Sequence, residues 1–258
     1  MKIFVLVKEV PDTYGDRTLN LETGLAERSA GDVVLDEITE RALEVALSYA
    51  DRNEGTEVVA LSMAPETSTA TVRRALAIGA ASAVHVADEQ LAGADLGLTA
   101  ETLAAAIRRG APDLVITGNL STDGSGGVIP AMLAEHLGFA QATALSSVEI
   151  TADAVTGTRA ADAGSQTVSA PLPAVISITE ALPDARFPNF KGIMAAKKKP
   201  LDVLSLADLD VTADPAVAPR TIMTSVAAKP PRAAGVKITD EGDAAERLVE
   251  YLVQNRLV

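Results

Sequence analysis

The sequence predicts a doubly wound, mostly parallel α/β sheet, and three observations point there. Short, continuous apolar runs alternate with longer segments whose apolar residues recur at helical spacing. The apolar runs lack the in–out alternation of a sheet with one wet face, so both of their faces must be covered. Capping hydroxyls and glycines punctuate the transitions, as at Ser68 and Gly79. A chain of 258 residues can bury such a core as one α/β domain with appendages.

The elements follow in order. Ile3–Val7 is a buried strand. Leu35 to Ala50 places Ile38, Ala42, Val45, Ala46 and Tyr49 on one helical face. Glu57–Met63 is the next strand, and Ser68 to Gly79 a helix that Thr67 or Ser68 can cap and Gly79 can stop. Ala83–Val86 is a third strand, Leu98 to Arg109 an Ala-rich helix ending at Gly110, Asp113–Gly118 a fourth strand, and Val128 to Gly138 a further helix. After Ala140 the pattern changes. Segments 148–150, 155–159, 167–170 and 174–178 read as β structure with turns between, an antiparallel extension of the sheet. Leu204 to Leu209 is a short amphipathic turn. Thr212 to Arg232 carries Pro215, Pro219, Pro230 and Pro231 and reads as an extended linker. A last helix is expected from Gly242 to Asn255, with Leu248, Val249, Leu252 and Val253 as its apolar stripe. It packs either on another subunit or back on its own chain. The expected division is a core over 1–204, carrying a docking loop at 183–200, and an arm over 205–258.

Composition excludes several classes. A net charge of −13 argues against nucleic-acid binding, and the absence of Trp with only 3% aromatics leaves no stacking platforms for bases. Without Cys there is no disulfide or thiolate chemistry, and His85 and His136 lie too far apart to suggest a metal site. No apolar run approaches the roughly 20 residues that span a bilayer, and the N-terminal one is too short for a secretory leader. A cytoplasmic protein without membrane insertion is the expectation. No Ser–His pair or distinctive carboxylate pair suggests a catalytic residue, so a protein that is not itself an enzyme is expected. Asp36, Glu37 and Glu40 open a helix, where acidic residues ordinarily complement the helix dipole.

Two segments carry the functional signal. Thr117–Pro130 leaves the end of a strand and enters a helix, with four glycines between Gly118 and Gly127. Ligands of open α/β sheets bind outside the carboxyl ends of strands. Free backbone N–H groups, the helix N-terminus and the hydroxyls of Ser121, Thr122 and Ser125 would suit a phosphate. The motif is neither a Walker loop nor a dinucleotide fingerprint. It is equally readable as a glycine-rich turn that lets the strand enter the helix closely. The second segment, Phe187–Pro200, holds two of the four phenylalanines, then Met194 and the run Lys197–Lys199. An apolar anchor beside local positive charge, bounded by Pro and Gly, reads as a loop that docks on a partner. The other reading folds both phenylalanines under the loop.

Four stretches, in order, resemble the β subunits of electron transfer flavoproteins. Val5–Asp12 resembles the opening strand V-x-V-K-x-V-P-D. Gly118–Gly138 resembles the segment G-x-x-[SA]-x-D-G…A-E-x-L-G without a gap. Arg159–Gln166 followed by Leu172–Val175 resembles the signature R-x-x-D-G-G-x-[EQ]…L-P-A-V, with Ala163 in place of a Gly. Phe190–Lys199 resembles the partner-recognition loop. The resemblance implies a Rossmann-like, adenine-nucleotide-binding core and a heterodimer with an α subunit on which the C-terminal arm packs. It further implies AMP held by this chain, with FAD held mainly by the α subunit and shared at the interface. In electron-bifurcating relatives a second FAD takes the AMP place. Partners implied are acyl-CoA dehydrogenases, other flavoprotein dehydrogenases and a membrane quinone oxidoreductase.

The cofactor-binding residues implied are Leu6, Asp36, Met63, Gly118, Asn119, Ser121, Thr122, Asp123, Gly124, Ser125, Gly126, Gly127, Val128 and Ile129. The docking residues implied are Phe190 as anchor, flanked by Arg186, Ile193, Met194, Lys197, Lys198 and Lys199. Two departures stand out. Asp36–Thr39 replaces N-P-[FY]-D, and Ser125–Ile129 replaces D-T-A-Q-V, which leaves backbone donors at Gly126 and Gly127 but no acid or amide side chain. Two other functions fit the same residues: a stand-alone adenine-nucleotide-binding regulatory protein, and a nucleotide-hydrolysing or adenylating enzyme. The missing acids, bases and metal ligands beside the glycine loop disfavour the last.

Overall fold

The computed structural model describes residues 1–15, 17–28, 31–218, 220–232 and 234–258, so Pro219 of the linker lies outside it. The elements are β1 (Lys2–Leu6), β2 (Glu9–Pro11), β3 (Val33–Leu35), α1 (Glu37–Ala50), β4 (Glu57–Met63), α2 (Thr69–Ile78), β5 (Ser82–Val86), α3 (Leu96–Gly110), β6 (Leu114–Gly118), α4 (Ile129–Leu137) and β7 (Ala140–Leu145). There follow β8 (Ser147–Ile150), β9 (Ala154–Ala161), β10 (Gly164–Pro171), β11 (Ala174–Ile178), α5 (Phe190–Ala196), β12 (Leu201–Leu204), α6 (Leu206–Leu209) and α7 (Ala244–Gln254).

A seven-stranded sheet runs β12-β5-β4-β1-β6-β11-β7, and every pairing in it is parallel. Alternation along the strands shares its faces between two cores. Ile3, Val5, Val58, Ile116 and Ile176 meet Ala42, Leu43 and Ala46 of α1 and Leu76 of α2. Phe4, Leu6, Leu61, Val115 and Val175 meet Leu103 and Ile107 of α3, Leu133 of α4 and Leu209 of α6. The inner strands are therefore mostly apolar on both faces, the doubly wound arrangement the apolar runs predict.

Three features differ from expectation. The antiparallel segments do not extend the main sheet: β10-β9-β8 form a sheet of their own. It fills the crossover from β7 to β11 and packs Val155 and Ala170 into the first core. Residues 174–178, read as part of that ribbon, join the parallel sheet between β6 and β7. Second, 201–204 is a parallel edge strand on β5, where sequence suggested only a turn beginning at Leu204.

Third, the compact unit runs from Met1 to Thr224, beyond the expected boundary at 204. Leu206 and Leu209 are buried, Arg220 pairs with Glu101 at 2.8 Å, and the Thr221 N–H donates to Asp95 at 2.6 Å. The second unit is Ser225–Val258 and contains α7, whose Leu248, Val249, Tyr251 and Val253 are exposed. No helix among the described residues is long and apolar enough to cross a membrane.

Candidate functional site: a glycine cradle and a clamped docking segment

The chain winds outward from β1 through β4 and β5, then returns to β6 on the other side of β1. The strand order thus reverses between β1 and β6, and a crevice opens outside their carboxyl ends. Residues 119–128 leave β6 at that point, while Val7–Lys8 leave β1 beside them.

The loop is held from inside. Asp36, wholly buried, caps α1 by accepting from the Ile38 N–H at 3.0 Å. Its other oxygen accepts from the N–H and hydroxyl of Thr122 at 2.7 and 2.8 Å. Asp123 turns its nearly buried carboxylate toward Lys8 at 2.8 Å and Arg28 at 3.0 Å. Burial alone would raise the Asp123 carboxyl. Hydrogen bonds from Lys8, Ser121 and the Gly124 N–H outweigh it and hold the group well below the ordinary carboxylate range. Arg17 donates to the Thr122 carbonyl and hydroxyl and to the Pro11 carbonyl.

These bonds leave the loop's far side open. Gly124–Val128 are exposed, and Ser125 and Gly127 have φ of 51° and 67°. Among the described residues no group accepts from the N–H of Gly126, Gly127 or Val128, the exposed residues that lead into α4. A Cβ built on Gly126 would approach only Leu96, at 3.8 Å, so the space over that backbone is free. Buried Asn119 Oδ1 also lacks a partner. Exposed amides at a helix N-terminus fit an anionic phosphate.

The structure brings Gly118, Asn119 and 121–129 together, with Leu6 and Met63 at neighbouring strand ends on the same edge of the sheet. Both oxygens of Asp36 are engaged within the chain, where they hold the start of α1 and the loop together. Sequence reading missed Lys8, Arg17 and Arg28 as holding groups. Lys8 stood in the quoted opening motif, but its partners lie more than a hundred residues away.

The second segment is partly helical, not all loop. Asn189 caps α5 by accepting from the Gly192 N–H at 2.8 Å. Gly192 lies so close to α2 that a Cβ there would meet the Ala77 carbonyl at 2.6 Å. Arg73 of α2 donates to the Ala196 carbonyl at 2.9 Å. On this seat Phe187 and Phe190 are 88% and 79% exposed, with Ile193 and Met194 beside them about half exposed.

The flanking charges divide. Lys197 and Lys198 are exposed. Lys199 instead donates to the carbonyls of Leu76, Gly79 and Ala80 at the end of α2, at 2.9, 3.3 and 2.6 Å, and burial pushes its ammonium below its ordinary value. Arg186 forks onto Glu44 at 2.8 and 2.7 Å and reaches Asp51 at 2.8 Å. Within the described chain, Lys199 and Arg186 are holding groups.

Sheet topology and the bare-backbone loop at its switch point together define an open, doubly wound α/β protein. Comparison with known proteins narrows this. The model of the electron transfer flavoprotein domain matches residues 23–209. The chain is 45% identical over 265 residues to electron transfer flavoprotein subunit beta of Mycobacterium tuberculosis (strain ATCC 25618 / H37Rv), covering 99% of each. It is 44% identical over 264 residues to the subunit of that name from Mycobacterium leprae (strain TN), again covering 99% of each. It is 30% identical over 213 residues to the caffeyl-CoA reductase-Etf complex subunit CarD of Acetobacterium woodii, covering 82% of the chain and 81% of that protein. The chain belongs to the electron transfer flavoprotein family and matches its β subunits along nearly its whole length.

Proposed function

We propose that this chain is the β half of a cytoplasmic electron carrier that binds AMP as a structural ligand and docks on flavoprotein dehydrogenases. The observation that carries the reading is the set of uncommitted N–H groups at Gly126, Gly127 and Val128, at the switch point of the sheet. They suit a phosphate, and no acid–base group beside them would act on it. Lys8, Asp123 and Asp36 keep the loop in shape, and the adenosine lies toward Leu6 and Met63.

FAD, held mainly by an α subunit, supplies the one- and two-electron chemistry when bound. This chain helps to hold it and performs no bond chemistry itself. Phe190, on its helical seat, is the side chain offered to acyl-CoA dehydrogenases and related donors, with Lys197 and Lys198 at the rim. A membrane quinone oxidoreductase receives the electrons. The arm beyond Thr224 packs on the α subunit through the apolar face of α7.

The test is to co-express the chain with its α subunit, purify the yellow complex, and weigh the extracted small molecules by mass spectrometry. One AMP and one FAD per heterodimer is the expected result. Two FAD would put a flavin in the cradle, and a colourless nucleotide-bound monomer would make the chain a regulatory protein.

A further inference from the structure

The docking segment is reached through a run held along the outer face of α1. Arg41 donates to the Leu182 carbonyl and pairs with Asp184. One turn on, Glu44 receives three bonds from a single residue. The Arg186 backbone N–H donates at 3.0 Å, and its guanidinium donates through Nε at 2.8 Å and Nη2 at 2.7 Å. Glu44 thus fixes both the main chain and the side chain of Arg186. Its side chain is only 14% exposed, where charge-assisted, forked hydrogen bonds are strongest.

Between this clamp and Phe190 stand Phe187, Pro188 and Asn189. Proline fixes its own φ, and Asn189 is committed to capping α5. Little slack remains, so the position of Arg186 is passed on to the start of α5. The far end is fixed separately: Arg73 of α2 donates to the Ala196 carbonyl, and Lys199 donates to the carbonyls of Leu76, Gly79 and Ala80 at the end of α2. Release of the Glu44 clamp would leave Arg186 only its exposed contact with Asp51 and no hold on its main chain, and so loosen Phe187 and the first turn of α5 while α2 keeps the rest seated.

We infer that Glu44 is a positioning residue for electron transfer: through Arg186 it pre-sets the first turn of α5, and so Phe190, for the partner dehydrogenase. The inference rests on the docking role proposed for Phe190. Burial by itself would raise the Glu44 carboxyl, but the bonds from Arg186 hold it below the ordinary carboxylate value, so the clamp stays charged at neutral pH.

The test uses the assembled heterodimer as electron acceptor for an acyl-CoA dehydrogenase reduced by its own substrate. E44Q, R186Q, F190A and the double variant E44Q/F190A are compared with wild type. E44Q and R186Q should each raise the KM for the heterodimer about tenfold with kcat unchanged, because ordering is then supplied on binding. R186K, which keeps the charge and loses the fork, should fall between. If Glu44 acts through Phe190, E44Q/F190A should be no worse than F190A alone. Should E44Q fail to fold, R186Q carries the comparison. A wild-type KM in E44Q and R186Q with a slowed F190A overturns the inference and leaves the docking role standing. So does an E44Q effect that multiplies fully with that of F190A. A wild-type F190A overturns the docking role, and this inference falls with it.

Discussion

In the loop from Asn119 to Val128 the holding charges lie on the inside. Asp36 and Asp123 are turned away from the crevice, toward Thr122, Lys8 and Arg28, and what remains facing outward is bare backbone N–H. In the segment from Leu182 to Lys199 the holding charges lie at the ends. Glu44 grips Arg186, Lys199 grips the end of α2, and what remains facing outward between them is an aromatic and aliphatic surface beside the exposed Lys191, Lys197 and Lys198. In both regions the more buried charges, those of Asp36, Asp123, Arg186 and Lys199, are spent within the chain, and the uncommitted groups are what remains to meet a ligand. Uncommitted amides suit an anion; an uncommitted aromatic with an apolar surround suits a protein surface.

The strongest way to break this contrast is Asp36→Ala. It removes a helix cap and leaves the Thr122 donors without their acceptor, so a loss of about 2–4 kcal/mol is expected. Urea unfolding of the purified chain measures it, and a loss below about 1 kcal/mol would mean that the loop is not held from inside. Gly126→Val should do the reverse. A side chain there meets open space, so stability should hold while bound nucleotide falls at least about tenfold, because bulk now covers the amides. Retention of stoichiometric nucleotide in the variant would remove the cradle from the account.

Phe190→Ala tests the other half. A buried aromatic anchor contributes on the order of 2 kcal/mol to an interface, a slowing of roughly thirtyfold at low protein concentration in stopped-flow reduction. At 79% exposure it should leave the melting temperature nearly unchanged. A large fall in melting temperature, with wild-type transfer by the folded fraction, would make Phe190 a core residue.

The smallest effect concerns acid. Asp123 is depressed in the folded chain, so its contribution is complete above the unfolded value of 3.8 and disappears as pH falls through the folded value. The stability gap between wild type and Asp123→Asn should therefore be flat from about pH 7 to about pH 5 and close below that. A gap that widened on acidification would reverse the sign argued for the Lys8–Asp123–Arg28 cluster.

Much of this fold was legible because β1, β4, β5 and β6 are short, predominantly apolar runs. β7 was not, since Gln141 and Thr143 interrupt an edge strand that needs covering on only part of its surface. β12 escaped notice because its Asp202 and Val203 stay exposed on the opposite edge. For the candidate site, glycine density pointed to a loop whose backbone N–H groups stay uncommitted, and the paired phenylalanines pointed to an exposed aromatic segment. The intrachain contacts of Asp36, Arg186 and Lys199 were not legible: their partners Thr122, Glu44 and Ala80 are distant along the chain, and residue spacing carries no information about pairings of that range.

The strand order has a consequence for how the chain emerges from the ribosome. β5, β4, β1 and β6 all belong to the first half of the sequence and can pair as that half is synthesised. β7 leaves next, but its neighbour in the sheet is β11, which follows only after the whole of β8, β9 and β10. The crossover sheet thus separates two strands that must end side by side. β5 likewise waits as an open edge until β12 arrives, after α5 has been made. Nascent chains halted before Ala174 would carry an unpaired β7 and an uncovered β5, the stage at which strand edges invite aggregation and at which chaperone binding would matter most.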